Sequence, residues 1–320
     1  MGLSIASTRF LVKAWKNGVR FDRILTLGRQ HMAVSPQRIE SILKKYEAWP
    51  PTIGADEFRR SLEEPVTRFE NFARALGAKI IESCDASGFE GASLVHDFNE
   101  PIPAAWEDKY DLVFDGGTLE HVFNFPVAVA NCMRMVKTGG HFILGTPANN
   151  YCGHGFYQFS PELFFRVLSP ENGFQIEQMI ATADSEGISS LFGVEYPFPI
   201  TGPWYEVNDP ARVRTRVTLI TDKPVLLYLS ARKVSRDQIF KKFPQQSDYV
   251  EQWKTAEMRT SVAPKPSGSK VTGWLRSSLS ESFCREVLPR VAWFLDPFRR
   301  LRHRRKNSFH NHTLYRRLRD

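Results

Sequence analysis

Between residues 23 and 145 the chain repeats one pattern: a short apolar run that stops at glycine or aspartate, then a stretch of helical periodicity. The runs are Arg23–Leu27 before Gly28, Lys79–Ser83, Ala92–His96 before Asp97, Tyr110–Phe114 before Asp115-Gly116-Gly117, and His141–Gly145. Helical spacing falls on 7–18, 36–46, 56–76 and 119–136, with Ser35 as N-cap and Pro36 as first helical residue of the second. Apolar runs without polar alternation suit strands buried on both faces, and their alternation with helices predicts βαβ units and a parallel sheet. Phe174–Ala181 and 213–233 add strand material, with Asp222-Lys223-Pro224 as a hairpin turn, so the sheet is expected to end antiparallel.

The 320 residues are 42% hydrophobic and 24% charged, enough to bury a sizeable core and outside the collagen-like and disordered classes. The net charge of +8 sits wholly in 299–320, which hold nine basic residues and one acid. The neutral remainder offers no basic stripe for a nucleic acid. Cys84, Cys132, Cys152 and Cys284 show neither disulfide nor zinc-ligand spacing, so no metal is expected and a reducing, cytoplasmic setting is. No apolar run spans a bilayer, the first residues lack a signal-peptide core, and Ala6 spoils a myristoylation pattern. Four units are expected: a helix in 1–20; a main domain in 21–235 with an insertion at about 184–212; a helix and Pro/Ser/Gly linker in 236–273; and a basic amphipathic segment in 274–320.

Ligands of open parallel sheets bind beyond the carboxyl ends of the strands, where strand order reverses. Four successive strand ends carry suitable residues: Gly28-Arg29-Gln30, Asp85-Ala86-Ser87, Asp97-Phe98-Asn99 and Asp115-Gly116-Gly117. An acid after the second strand can accept two ribose hydroxyls, an acid after the third can accept the adenine amino group, and glycine after the first lets backbone approach a ligand. Two adenosine-containing cofactors compete. A nicotinamide dinucleotide needs a Gly-x-Gly-x-x-Gly turn, and Gly28-Arg-Gln-His-Met-Ala33 keeps only its first glycine. S-adenosylmethionine is the other.

The stretch Tyr110-Asp-Leu-Val-Phe-Asp-Gly-Gly-Thr-Leu-Glu-His-Val122, with Val136-Lys-Thr-Gly-Gly140 before the next strand, resembles the class I S-adenosylmethionine-dependent methyltransferases. The resemblance covers roughly residues 20 to 235 and implies an α/β, Rossmann-like seven-stranded sheet, mostly parallel with the last strand antiparallel. It further implies Gly28, Arg29 and Gln30 near the methionine end of S-adenosylmethionine, Asp85 and Ala86 at the ribose, Asp97 and Phe98 at the adenine, and Asp115, Gly116 and Gly117 along the sulfonium. The first loop departs from the family's Gly-x-Gly. His121, at the mouth of that site, is a candidate general base, and Glu120 a brace for its helix. His154 and Tyr157, within an aromatic cluster after the fifth strand, are candidate walls of an acceptor pocket, and Phe192–Tyr205 a lid.

The expected function is methyl transfer to a small-molecule or saccharide-like acceptor. The alternative is a methyltransferase-like binding or scaffold protein that acts through its basic tail. Residues 275–320, an arginine-rich amphipathic pattern split by Pro289 and Pro297, fit peripheral contact with an anionic membrane, a partner groove, a nucleic acid or a solvated tail.

Overall fold

The computed structural model describes residues 2–49, 53–62, 68–183, 202–236, 239–260 and 306–318. The chain opens with β1 (Gly2–Leu3), α1 (Ile5–Lys16), β2 (Arg23–Leu27), β3 (His31–Met32) and α2 (Pro36–Lys45). The Ser35 side chain caps α2 by accepting from the Arg38 N–H. Next come α3 (Ala55–Leu62), α4 (Phe69–Ala75), β4 (Ile80–Asp85), β5 (Leu94–Val95) and β6 (Tyr110–Asp115). The stretch read as one helix over 119–136 is a 3-10 turn, Leu119–His121, followed by α5 (Phe125–Met135) with Pro126 in its first turn. Proline there needs no N–H partner, which sets the start of the helix. Then follow β7 (Val136–Asn149), α6 (Pro161–Val167), β8 (Phe174–Ala183), β9 (Trp204–Val207), a single turn Pro210–Val213, β10 (Val225–Lys233), α7 (Ser247–Thr260) and β11 (Tyr315–Arg317).

The main sheet runs β11-β9-β8-β10-β7-β6-β2-β4-β5. β5, β4, β2, β6 and β7 are parallel, and β10 lies antiparallel between β7 and β8. The seven strands from β5 to β8 are the expected set, and the order reverses between β2 and β6. β6 is buried along its whole length, as a strand covered on both faces must be. One apolar layer packs Leu25, Val113, Phe142 and Leu229 under α5 and α6, and the other packs Ile24, Leu112 and Ile143 under α1 to α4.

Three expectations are corrected. The segment 213–224 contains no strand, so Asp222-Lys223-Pro224 is not a hairpin turn: the backbone carbonyls of Leu219, Thr221 and Lys223 accept from the Asn149 and Asn150 side chains instead of from a partner strand. Of the expected lid, Trp204 is a buried β9 residue against Phe10, with the Arg9 guanidinium 4.6 Å from its ring centroid. Residues 306–318 are no appended tail: β11 extends the sheet from β9, and Leu314 and Tyr315 are buried in the core. Residues 184–201, most of the linker and 274–305 lie outside the described residues. Among the described residues no helix is long and apolar enough to cross a membrane.

Candidate functional site

β2, β4, β5 and β6 run parallel, so their carboxyl ends lie along one edge of the sheet, bordering the crevice that a reversal of strand order opens. Gly28 leaves β2 with φ +66°, and its N–H donates to the Cys84 carbonyl at 2.7 Å. A Cβ there would meet Thr118 Oγ1 at 3.4 Å, Gln30 Nε2 at 3.5 Å and Asp85 Oδ2 at 3.7 Å, so three of the four strand ends converge on this glycine. Thr118 Oγ1 donates to the Leu27 carbonyl at 3.1 Å and ties the β6 loop to the β2 loop.

Asp85 ends β4 half-buried, and its carboxylate has no hydrogen bond or ion pair among the described residues. A partly desolvated carboxylate without a partner is costly, and beside a glycine in a crevice it is placed to receive hydroxyl donors. Ala86 is exposed just beyond it. Asp97 is exposed too; its Oδ1 accepts from the backbone and side-chain nitrogens of Asn99 at 2.9 and 2.7 Å, and the Asn99 N–H bond holds its pKa below the usual carboxylate range. Its Oδ2 stays available. Phe98, expected along an adenine, is buried in the core and offers the crevice little surface.

The first loop differs from the expectation. Arg29 forms an ion pair with Glu70 of α4 at 3.0 Å and donates to the Glu90 carbonyl at 3.1 Å, so it braces the loop after Asp85 instead of reaching a ligand. Gln30 turns inward against Gly116, fully buried, with Nε2 donating to the Leu27 carbonyl at 2.8 Å and Oε1 unpartnered. Asp115 is likewise not aimed at the crevice. Its buried carboxylate accepts from the N–H groups of Gly117, Thr118 and Leu119 at 3.2, 2.7 and 3.4 Å and so folds the turn that carries Glu120 and His121. Burial raises its pKa against those bonds. Gly116 and Gly117 form that turn.

One turn further on, Glu120 and His121 meet the loop after β7. The Glu120 carbonyl accepts from the N–H groups of Phe156 and Tyr157 at 2.8 and 3.2 Å, and Tyr157 Oη donates to the Phe123 carbonyl at 2.6 Å. Tyr157 is therefore committed to holding the loop. His154 Nε2 lies 3.6 Å from Glu120 Oε1, and its ring centroid is 5.1 Å from that of His121. Partial burial, then neighbouring His154, lowers the pKa of His121, leaving it neutral at pH 7. Phe123 and Phe156, both exposed, meet edge to face at 5.8 Å beside this pair.

Gly155 makes this approach possible. It has φ +73°, and a Cβ would stand 2.8 Å from the Glu120 carbonyl oxygen, a backbone atom that cannot turn aside. Gly155→Ala should therefore destabilise the protein by about 1 to 3 kcal/mol through overpacking and strain. Urea unfolding that matches the parent would show that the loop does not press on Glu120. Sequence reasoning missed Thr118 and the pairing of Glu120 with His154; the Gly153-His154-Gly155 spacing was the only local sign of a tight approach.

A cleft of about 530 Å³, lined by Glu107, Asp108, Arg134 and Lys233 among others, lies at the opposite, amino-terminal end of the parallel strands, away from these groups.

The strand order, with five parallel strands and β10 antiparallel between β7 and β8, defines an open, Rossmann-like α/β sheet. No protein-family model and no curated protein matches the chain. Solved structures that it resembles include an S-adenosylmethionine-dependent methyltransferase of Mesorhizobium loti (13% identity, 72% of this chain and 98% of that one, TM-score 0.36). Another is a methyltransferase of the same dependence from Thermotoga maritima (14%, 72% and 91%, TM-score 0.33). A third is the branched-chain polyamine synthase of Thermus thermophilus (13%, 77% and 62%, TM-score 0.35).

Proposed function

We propose that the protein is an S-adenosylmethionine-dependent methyltransferase acting on a small-molecule or saccharide-like acceptor. The observation that carries this is the unpartnered, half-buried Asp85 carboxylate against Gly28, where strand order reverses. The residues fit such a cofactor at two ends: Asp85 would hold the ribose diol, and Asp97 Oδ2 the adenine amino group. At the third, the backbone of Gly28, Gly116 and Gly117 would line the methionine and sulfonium, because the side chains of Arg29, Gln30 and Asp115 are engaged elsewhere. The chemistry supplied at that position is an electrophilic methyl carbon, passed to an acceptor lone pair while the carbon–sulfur bonding pair returns to sulfur.

The protein's task is then alignment and exclusion of water. Neutral His121, one turn beyond Gly117, is placed to take the proton that a hydroxyl or amine acceptor gives up. Phe123 and Phe156 offer the flat apolar contact that one face of a sugar ring accepts.

The engaged side chains of the first loop favour a second reading, a fold that keeps the crevice but binds no methyl donor. Calorimetry with S-adenosylmethionine and with its demethylated product separates the two. The enzyme reading expects saturable binding of both, one per chain, and heats no larger than dilution for both would leave the binding or scaffold role.

A further inference from the structure

We propose that Glu120, His121 and His154 form a binding site for one divalent transition-metal ion. One ligand atom from each lies within 4.8 Å of the others, with His154 Nε2 already 3.6 Å from Glu120 Oε1. Donors around a zinc-like ion at about 2.0 to 2.2 Å from the metal stand roughly 3 Å apart. The widest pair must therefore close by up to about 1.8 Å, and the two exposed histidines can do this by side-chain rotation.

The carboxylate supplies the second reason. Glu120 is 1% exposed, yet among the described residues no lysine or arginine pairs with it; its carboxylate meets Thr146 Oγ1 at 3.4 Å and His154, and the nearby Asp115 carboxylate repels it. A buried carboxylate is normally paired with a cation or bound to a metal. Here the groups facing it are two imidazoles, which bind metal through their neutral nitrogens. The fold also holds the donors before any ion arrives. Asp115 shapes the turn that carries Glu120 and His121, while Gly155 and two N–H bonds to the Glu120 carbonyl clamp the His154 loop onto that turn.

Two imidazoles and one carboxylate suit zinc, cobalt, iron or manganese in the divalent state better than magnesium or calcium, which prefer all-oxygen sites. Three protein ligands leave positions open on the solvent side. If the methyltransferase reading holds, an acceptor oxygen would fill one of them, and activation would pass from His121 as base to the ion as Lewis acid. The site itself does not depend on that reading.

The test is titration of metal-free, full-length protein with Co²⁺, read by its visible d–d absorption, with Zn²⁺ as competitor. One Co²⁺ per chain, displaced by Zn²⁺, is expected. Glu120→Gln, which keeps the shape of the side chain, His121→Asn and His154→Ala should each weaken binding by at least about tenfold, a loss comparable to that seen on disturbing metal-site residues. Cys152→Ser, at an exposed thiol two residues from His154, should leave the spectrum unchanged. Absence of stoichiometric binding, or equal binding by Glu120→Gln and the parent, overturns the site. If His154→Ala fails to fold, Glu120→Gln and His121→Asn still decide. Cobalt binding in a protein that ignores S-adenosylmethionine would keep the site and remove the methyltransferase reading; the converse would do the reverse.

Discussion

Replacing Asp85 with alanine is expected to weaken S-adenosylmethionine binding by about tenfold to a thousandfold while the protein stays folded. A charge-assisted hydrogen bond contributes about 1.5 to 3 kcal/mol, and a ribose diol would offer this carboxylate two. The Asp85 side chain makes no hydrogen bond or ion pair among the described residues, so its removal costs the apo fold little. That separation between binding and stability is the signature of a ligand-holding residue. Calorimetry beside a thermal melt reads both quantities, and an unchanged dissociation constant in the folded variant would take Asp85 out of the site.

The second large effect is on stability. Tyr315 is 1% exposed, packs edge to face on Phe309 at 5.2 Å, and belongs to a strand paired with β9. Truncating a buried aromatic side chain costs about 3 to 5 kcal/mol, so Tyr315→Ala should lose a large part of a marginal folding free energy. A chain cut after Thr260 should fare worse, since Phe309, Leu314 and the strand leave together and Tyr205 loses the ring stacked on it at 4.2 Å. Denaturant midpoints measure the first, and soluble yield with the melting curve the second. A truncated chain as stable as the full one would mean that β11 only rests on the sheet.

The parallel part of the sheet was legible because strands covered on both faces have to be apolar throughout, and Ile24-Leu25 and Leu112-Val113-Phe114 have no other use. β11 was not legible for the opposite reason. It is three residues long, two of them arginines that stay exposed, and a single buried tyrosine among charges reads as tail. Strand-end position drew attention to Gly28 and Asp85, and topology alone brings those ends together. It could not tell which acid looks into the crevice and which turns back to bind its own loop. Asp115 turns back because three N–H groups of the following turn need an acceptor. The meeting of Glu120 with His154, 34 positions apart, depends on the left-handed backbone of Gly155, which composition does not announce.

The pairing of β9 with β11 also bears on how the molecule reaches its native state. Arg316 and Glu206, which form an ion pair across it, are 110 residues apart in the chain. Contacts of such separation form late, since the entropy of closing the intervening chain must be overcome first. Until then the outer hydrogen-bonding row of β9 is open, and an open row is a template for another copy's strand. Refolding should therefore pass through a species with the central sheet formed and this border bare. Aggregation at that stage, rising with protein concentration, would compete with the last step of folding.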